Sequence, residues 1–549
     1  MRPIYLFLIL SISLFSPGHA QVVDSTFGEL YSFSSSQNIY GITASDFSDR
    51  KDKAYSMLFL EDGKIIMAGH TASEEDSDFA FTRLLANGQY DQDFSPDGRI
   101  QLDLGFQRDS CLTAVRYGSD QMLMGGSAEQ AGEAGFSALL IKTDFDGQLN
   151  SSFAEDGKLF LDLPGQHEMI TRLHPLPDGK IMVAGNAFFG PSYDYPDSTS
   201  IFVGRLLEDG SVDSSFGNNG FIYKNRNGCP SSILGDLVVY PDGAFLLTAE
   251  TYSPYPGLLN PIGPCEPTIY VSRFLPNGAV DVAFGETGTT DVTSTTGWAK
   301  ALGIYEDGRI IVAGLTSDAF TMPIYTTVAR LLPDGTLDST FADNGVFSEL
   351  VNPSGFNVSN PVDIIFRGDE VLVGFSSENF IGVNSFGVLC LNNDGQLNTD
   401  FGDEGVFNYY PIYGWGIYEI NQIQLSADEQ SLYFTGDYNS QSDMLICKLD
   451  ISSKTVAVDA DFFIKQEAQL YPNPLTAGEV LYIELPDFSR ASDFVLQIYD
   501  SRGTLVMHRK TDADMLQAGL QLPVFNQGIY FIELSNQDGR YSGKVLVLD

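Results

Sequence analysis

Basic side chains are scarce in this chain: 30 Lys and Arg stand against 72 Asp and Glu, a formal net charge of −42. That balance excludes a nucleic-acid partner, because phosphate contacts need clustered cations. The acidic excess instead suits a chain kept soluble outside the cell by mutual repulsion. Tryptophan is nearly missing, at 2 residues, and histidine is limited to 5. His70, His167 and His174, the histidines of the central region, have no second His or Cys at metal-ligand spacing, so no metal centre is expected from them. The Gly-x-Ser-x-Gly, phosphate-loop and His-Glu-x-x-His patterns are absent, and no catalytic residue is assigned. Beyond residue 20 no apolar run is long enough to span a bilayer. Residues 1–20 read as a secretory signal: Arg2 gives the positive start, Tyr5 to Phe15 the apolar stretch and Gly18-His19-Ala20 the small-residue exit.

Cysteine is also sparse, at 5 residues. Cys111, Cys390 and Cys447 sit in apolar strand patterns, where Cys behaves as a small buried hydrophobe. Cys229 and Cys265 lie in Pro-containing loops of one repeat, and export would place them in an oxidising compartment. A Cys229–Cys265 disulfide is expected, worth about 3–4 kcal/mol in the chain-entropy picture. Carboxylates in Asp-Gly turns raise calcium as a candidate. Asp144-Phe145-Asp146-Gly147 with Asn150 comes nearest to a calcium loop, but it lacks the third acidic position and the distal Glu. The same pairs serve as turn formers, so no cofactor is assigned.

What the chain has is repetition. A closing motif ends in Phe27, Phe94, Phe153, Phe216, Phe284, Phe341 and Phe401, at spacings of 57 to 68 residues. Within each unit an apolar run follows an acidic or Gly turn, as in Ile65-Ile66-Met67, Ile181-Met182-Val183 and Ile310-Ile311-Val312. Such short runs bounded by turns read as strands buried on both faces. A small or short residue comes next in every unit (Ala68, Gly125, Ala184, Thr248, Ala313, Gly374, Thr435), which marks a crowded place where neighbouring strands approach. Three further strands per unit are legible, for example Gly220–Asn225, Ile233–Pro241 and Thr268–Leu275 around Ala244–Ala249. No helical period of useful length appears before residue 460.

Four antiparallel strands repeated seven times predict a seven-bladed β-propeller over residues 21–456. A basic residue stands eight positions before the Asp of the closing motif: Arg83 with Asp91, Arg205 with Asp213, Arg273 with Asp281, Arg330 with Asp338. Unit two has Lys142 with Asn150, and unit six Cys390 with Asn398, so loss of the base accompanies loss of the acid. This covariation within one chain predicts paired, partly buried contacts holding the inter-blade turns. Unit seven has Lys448 but no motif after it, while the orphan motif Val23-Asp24-Ser25-Thr26-Phe27 lies at the start of the chain. The N-terminal segment is therefore expected to complete the last blade and close the ring, removing exposed sheet edges.

These units resemble the delta-60 repeat. The resemblance rests on Val212-Asp213-Ser214-Ser215-Phe216-Gly217 and on Asp178 to Gly185, and covers about residues 22 to 450. Unit four departs with Thr248-Ala249 for Ala-Gly, and unit seven has lost its Asp-Gly turn. The resemblance implies a propeller-like β array and brings no catalytic residues. After a linker at 457–466, residues 467–549 carry alternating strands near Val480–Leu485, Phe494–Tyr499, Gly528–Leu534 and Ser542–Val547, expected to form a small β-sandwich. This tail resembles the C-terminal sorting domain of the type IX secretion system. It does so through Leu470-Tyr471-Pro472-Asn473-Pro474, Leu496-Gln497-Ile498-Tyr499-Asp500 with Gly503, Gly528-Ile529-Tyr530 and Gly543-Lys544-Val545. The resemblance implies the secretion machinery as partner and export across a gram-negative outer membrane. It also implies tail removal with release, or attachment to surface lipopolysaccharide.

Units three and four carry the longest connections between the apolar run and the basic residue. These contain Phe188, Phe189, Tyr193, Tyr195, Tyr252 and Tyr255, with Asp194 and Asp197 among them. Insertions in repeat proteins collect on one face, and Tyr joins a large contact area to a polar tip. The expected function is non-enzymatic recognition of a carbohydrate or peptide by these loops, at the cell surface or outside the cell. The alternatives are a secreted polysaccharide- or peptide-degrading enzyme working in an acidic central face, and a purely structural component of the cell envelope.

Overall fold

The computed structural model describes residues 22–548 apart from connecting stretches, the longer being 131–134, 191–195, 252–267, 318–323, 352–357, 379–383, 410–417, 439–442, 453–464, 485–492, 501–504, 513–519 and 522–527. The chain divides into two compact units, one comprising Met1–Tyr31, Tyr40–Tyr410 and Trp415–Ala457, the other Ser32–Ile39, Pro411–Gly414 and Val458–Asp549. Among the described residues every regular element is a strand.

The larger unit is a ring of seven antiparallel meanders. Blade 1 runs Lys51–Phe59, Ile65–Ala72, Ser77–Leu84 and Arg99–Leu102, and the next five blades repeat that order. Inner strands of successive blades touch, and the inner strand of blade 7 (Tyr418–Leu425) touches that of blade 1. The apolar runs become the second strands because they are covered on both sides by neighbouring blades: Ile65, Ile66 and Met67 are all buried, as are Ile181, Met182 and Val183. In blade 4 the strands fall at Phe221–Lys224 before it, then Ser232–Val239, Phe245–Thr251 and Tyr270–Phe274, within two residues of expectation at most ends.

Blade 7 has three strands of its own, ending with Asp443–Asp450. Its outer edge is supplied by the N-terminal segment, with Ile42–Ser45 and Val22–Val23 both antiparallel to Asp443–Asp450. The orphan motif does complete the last unit. Lys448 Nζ lies 2.8 Å from Asp24 Oδ2, the Asp24 N–H donates to the Lys448 carbonyl at 2.9 Å, and Phe27 packs edge-on against Tyr433.

The closing motif is an inter-blade clasp. Arg83, Arg205, Arg273 and Arg330 each place Nε 2.7–2.8 Å from Oδ2 of the paired Asp. The same guanidinium donates to a turn carbonyl of the following blade, on Phe145, Pro276, Pro333 and Asn393. It also lies 4.2–4.9 Å from the centre of the motif Phe ring (Phe94, Phe216, Phe284, Phe341), a cation–π contact. In blade 2, Lys142 sits over Tyr117 and Phe153 instead. In blade 6, Asn398 donates to Glu370, which pairs with Arg367, so the neighbouring hairpin restores the charge that Cys390 lacks. The residue after six of the seven motif Phe takes a left-handed conformation (Gly28, Ala154, Gly217, Gly285, Ala342, Gly402), Ser95 after Phe94 being the exception, which is why glycine is common there. That twist turns its N–H toward the next blade: Gly217 donates to Asn277 and Gly285 to Asp334, both at 2.8 Å.

The smaller unit contains a six-stranded sheet, including Asp493–Asp500, Leu505–Asp512, Gly528–Asn536 and Gly539–Leu548, and a three-stranded sheet built on Val480–Glu484. Leu481, Ile483, Leu496, Ile498, Ile532 and Leu534 are its buried alternating residues. The four expected tail strands are present. Leu505–Asp512 is an additional strand, hidden in the sequence because His508, Arg509 and Lys510 interrupt its apolar alternation.

Candidate functional site

Every inner strand breaks register once, at the same place. The skipped residues are Tyr55, Leu112, Thr171, Gly235, Lys300, Val362 and Asn421, one per blade. A β-bulge of this kind bends the strand and re-aims the extra side chain. Opposite each bulge stands the small pair of the second strand, such as Ala68-Gly69, Ala184-Gly185 and Ala313-Gly314. A Cβ on Gly69, Gly126, Gly185 or Gly436 would fall 1.7–1.9 Å from the carbonyl oxygen of the inner strand. The small residue also meets the next blade, since a Cβ on Gly125 would fall 2.8 Å from Ile170. In unit four, where Ala249 replaces the glycine, the bulged residue is itself glycine, Gly235. Thr248 and Thr435, the two hydroxyl variants, donate to carbonyls of the third strand at 2.8 Å.

The bulges free backbone N–H groups, and side chains of preceding blades take several of them up. Ser56 accepts from Ala114, Asp236 from Leu302, Asp363 from Ile423, and Gln422 from Met57 across the closure. Each such bond joins two blades around the axis, and buried donors left unpaired would cost about 1–3 kcal/mol apiece.

All seven bulged residues border one central cavity of about 420 Å³, together with Arg172, Phe188, Glu250 and Glu419. Charges of both signs line it, and they pair across blades: Lys300 with Glu250 at 3.7 Å, Lys53 with Glu419 at 3.4 Å, Arg172 with Asp236 at 2.6 Å. The lining is thus of mixed sign, with Arg172 and Lys300 beside Glu250 and Glu419. Burial raises the pKa of Glu250, opposed by Lys300, and its Oε2 has no hydrogen-bond partner. Burial also pushes the Tyr55 phenol up to about 12 and the His70 imidazole down to about 4, the latter beside the Cys111 carbonyl.

The sequence-predicted loop residues divide. Phe188 and Phe189 end a second strand; Phe188 is 7 % exposed and faces the cavity, so it is a wall residue and not a loop tip. Asp197 is exposed, and its N–H closes the connection on the Phe189 carbonyl at 2.7 Å. Tyr193, Asp194, Tyr195, Tyr252 and Tyr255 lie outside the described residues, as does Cys265 of the expected disulfide; Cys229 is buried. Cys111, Cys390 and Cys447 are fully buried strand residues, as expected. In the calcium-like stretch, Asp144 accepts the N–H groups of Asp146 and Gln148, and Asp146 pairs with Arg83, so both act in the turn. The bulged residues are cavity-lining positions that the sequence does not single out directly. Their signal is the recurring small pair on the adjacent strand.

Comparison with known proteins bears on both units. Residues 469–548 match the secretion system C-terminal sorting domain. Residues 60–94, 176–216 and 306–341, in blades 1, 3 and 5, match the domain of unknown function (DUF5122) beta-propeller. No curated protein matches the chain. Among solved structures, Drosophila Semaphorin 2a is similar with a TM-score of 0.45 at 8% identity, over 94% of this chain and 99% of that one. The beta-propeller domain of the Trilobed protease from Pyrococcus furiosus gives 0.38 at 8%, over 76% and 100%. An alpha-L-arabinofuranosidase from Lactobacillus brevis gives 0.29 at 13%, over 50% and 88%. At such distances these likenesses carry nothing about activity.

Proposed function

We propose that this DUF5122-type β-propeller protein, exported by the type IX secretion system through its sorting tail, is a non-enzymatic recognition module for a carbohydrate or peptide. The ligand is held at the mouth of the central cavity. One observation carries the reading: the two longest connections between second and third strands follow strand ends that border that cavity, Phe188 in blade 3 and Glu250 in blade 4. The strand ends that lead into the stretches carrying the sequence-named tyrosines border a mixed wall of Phe188, Tyr55, Lys300, Glu250 and Asn421. An aromatic face with hydrogen-bonding groups of both signs suits sugar hydroxyls or a peptide backbone, and the volume is within the usual range for small-ligand sites.

The test is a glycan and peptide array probed with the full chain. Lys300→Ala, Glu250→Gln and a Tyr193/Tyr195/Tyr252/Tyr255→Ala variant are run beside it. Loss of a hit by at least one cavity variant and by the loop variant, all still folded, is the expected result. A hit retained by all three would remove the site from consideration. Silence on both arrays would favour the structural role in the envelope.

A further inference from the structure

Protein interiors leave few polar atoms unpaired, so several around one cavity point to the chemistry of what fills it. Thr171 Oγ1, Glu250 Oε2 and Asn360 Oδ1 are buried without a hydrogen-bond partner among the described residues, and all three residues line the central cavity. A fourth group there, the Lys300 ammonium, stands 3.7 Å from Glu250 Oε2, beyond hydrogen-bond reach. These side chains come from four consecutive blades, 3 to 6. Other polar side chains of the lining are already engaged. Arg172 donates to Asp236 and to the carbonyls of Thr171 and Gly235. From blade 7, Asn421 donates to the Ala54 carbonyl at 2.9 Å, and Glu419 pairs with Lys53 of blade 1. The uncommitted polar atoms are thus gathered on one arc of the ring, the arc that also carries the two longest connections.

Each of the four residues is only partly buried. The last torsions of Glu and Asn side chains have broad minima, so a rotation there can present the unpaired oxygen to the cavity, and Thr171 needs one change of rotamer. Three acceptors beside one ammonium call for a partner whose groups both donate and accept. A hydroxyl does both: placed between Glu250 and Lys300, it donates to the carboxylate and accepts from the ammonium. A peptide N–H only donates and a peptide carbonyl only accepts, so no single backbone group serves that pair. Charge narrows the class further. Arg172 and Lys300 balance Glu250 and Glu419, the charged residues of the lining, so a ligand carboxylate or ammonium would enter without a free counter-charge. Phe188 adds an aromatic surface for the C–H faces of a ring.

We propose that the cavity holds a neutral saccharide whose hydroxyls bond to Thr171, Glu250, Lys300 and Asn360; this rests on the cavity being the recognition site. Either source, a free sugar or the end of a polymer, has the required chemistry.

The experiment compares, on arrays probed with the full chain, neutral glycans, counterparts in which one sugar is a uronic acid or an unacetylated hexosamine, and peptides. The strongest binder is titrated calorimetrically into the wild type and into Thr171→Val and Asn360→Leu, with competition between free saccharide and polymer to tell the source. Neutral glycans should bind at least about tenfold more tightly than their charged counterparts. Thr171→Val and Asn360→Leu should each weaken binding about tenfold, yet the melting temperature of the free protein should not fall, because the groups removed have no partner within it. A lowered melting temperature with unchanged affinity would assign both residues a structural role and overturn the proposal. Peptide hits without glycan hits, or charged glycans bound as tightly as neutral ones, would overturn it while leaving recognition at the cavity in place. No hit of any kind would overturn both.

Discussion

At the scale of the residue, the clasp shows how one short motif performs several jobs. Arg330 is 3 % exposed and Asp338 7 %, and the guanidinium meets the carboxylate, a hydroxyl, the next blade's turn and the Phe341 face at once. Removing one partner leaves a buried charge without compensation, whereas removing both does not. Arg330→Ala should therefore cost about 3 kcal/mol in chemical denaturation, and the double variant with Asp338→Ala clearly less than the sum. Arg309 and Asp307 are a control: their pair is more exposed and should show coupling of no more than about 0.5 kcal/mol. Equal, additive losses in the two cycles would refute the clasp as a coupled unit. The constant eight-residue spacing makes this pair legible in the sequence. The turn carbonyl that completes it is not legible there, because it belongs to a different repeat.

At the scale of the element, the bulge is the device that converts a seven-fold repeat into a cavity with seven different walls. The small pair Ala184-Gly185 is set by close approach of the inner strand, not by flexibility. A Cβ on Gly185 would stand 1.9 Å from the Met169 carbonyl. Gly185→Ala should then lower stability by about 1–3 kcal/mol through backbone displacement. Because the displaced strand carries Thr171 and Arg172, binding at the cavity should weaken along with it. Unchanged denaturation of this variant would mean that the inner strand accommodates the methyl without cost. In the sequence, crowding at the small residue is readable because it recurs in every unit. The bulge opposite it is not, since Tyr55, Leu112, Thr171, Gly235, Lys300, Val362 and Asn421 share no chemistry. Only the register of strand pairing singles them out.

At the scale of the whole molecule, the seams bury carboxylates whose protons the fold retains. Burial, reinforced by Asp78, Asp76 and Asp103, pushes Asp109 up to about 8. Burial raises Glu168 to about 7 with help from Asp162, and Asp363 to about 7 with Asp236 adding and Arg172 opposing. Asp437 is raised to about 7 by burial against the opposing charge of Lys53, with Glu419 adding. For each, the folded state holds the proton more tightly than the unfolded chain. The resulting stabilisation is complete below the unfolded carboxyl range and disappears as pH rises through about 7–8. Clasp carboxylates act in the opposite sense. At Asp213 desolvation is outweighed by Ser215 and Arg205, which lower the pKa to about 2, so this group contributes stability above about 4 that is lost only in strong acid. The net expectation is a chain more resistant to denaturant at pH 5 than at pH 8, measured in EDTA to keep divalent ions out of the comparison. A higher midpoint at pH 8 would contradict it.

The sequence alone determined the number of blades, the strand content, the closure by the N-terminal segment and the sorting tail. Each of these is written in local patterns or in repetition at fixed spacing, and repetition is visible without coordinates. Tertiary structure decided which residues meet around the central cavity. Residues contributed once per unit, from strands some sixty positions apart in the chain, meet only when the ring closes. The cavity wall is a product of that meeting. Its chemistry follows from which blade stands next to which, a relation that no single repeat contains.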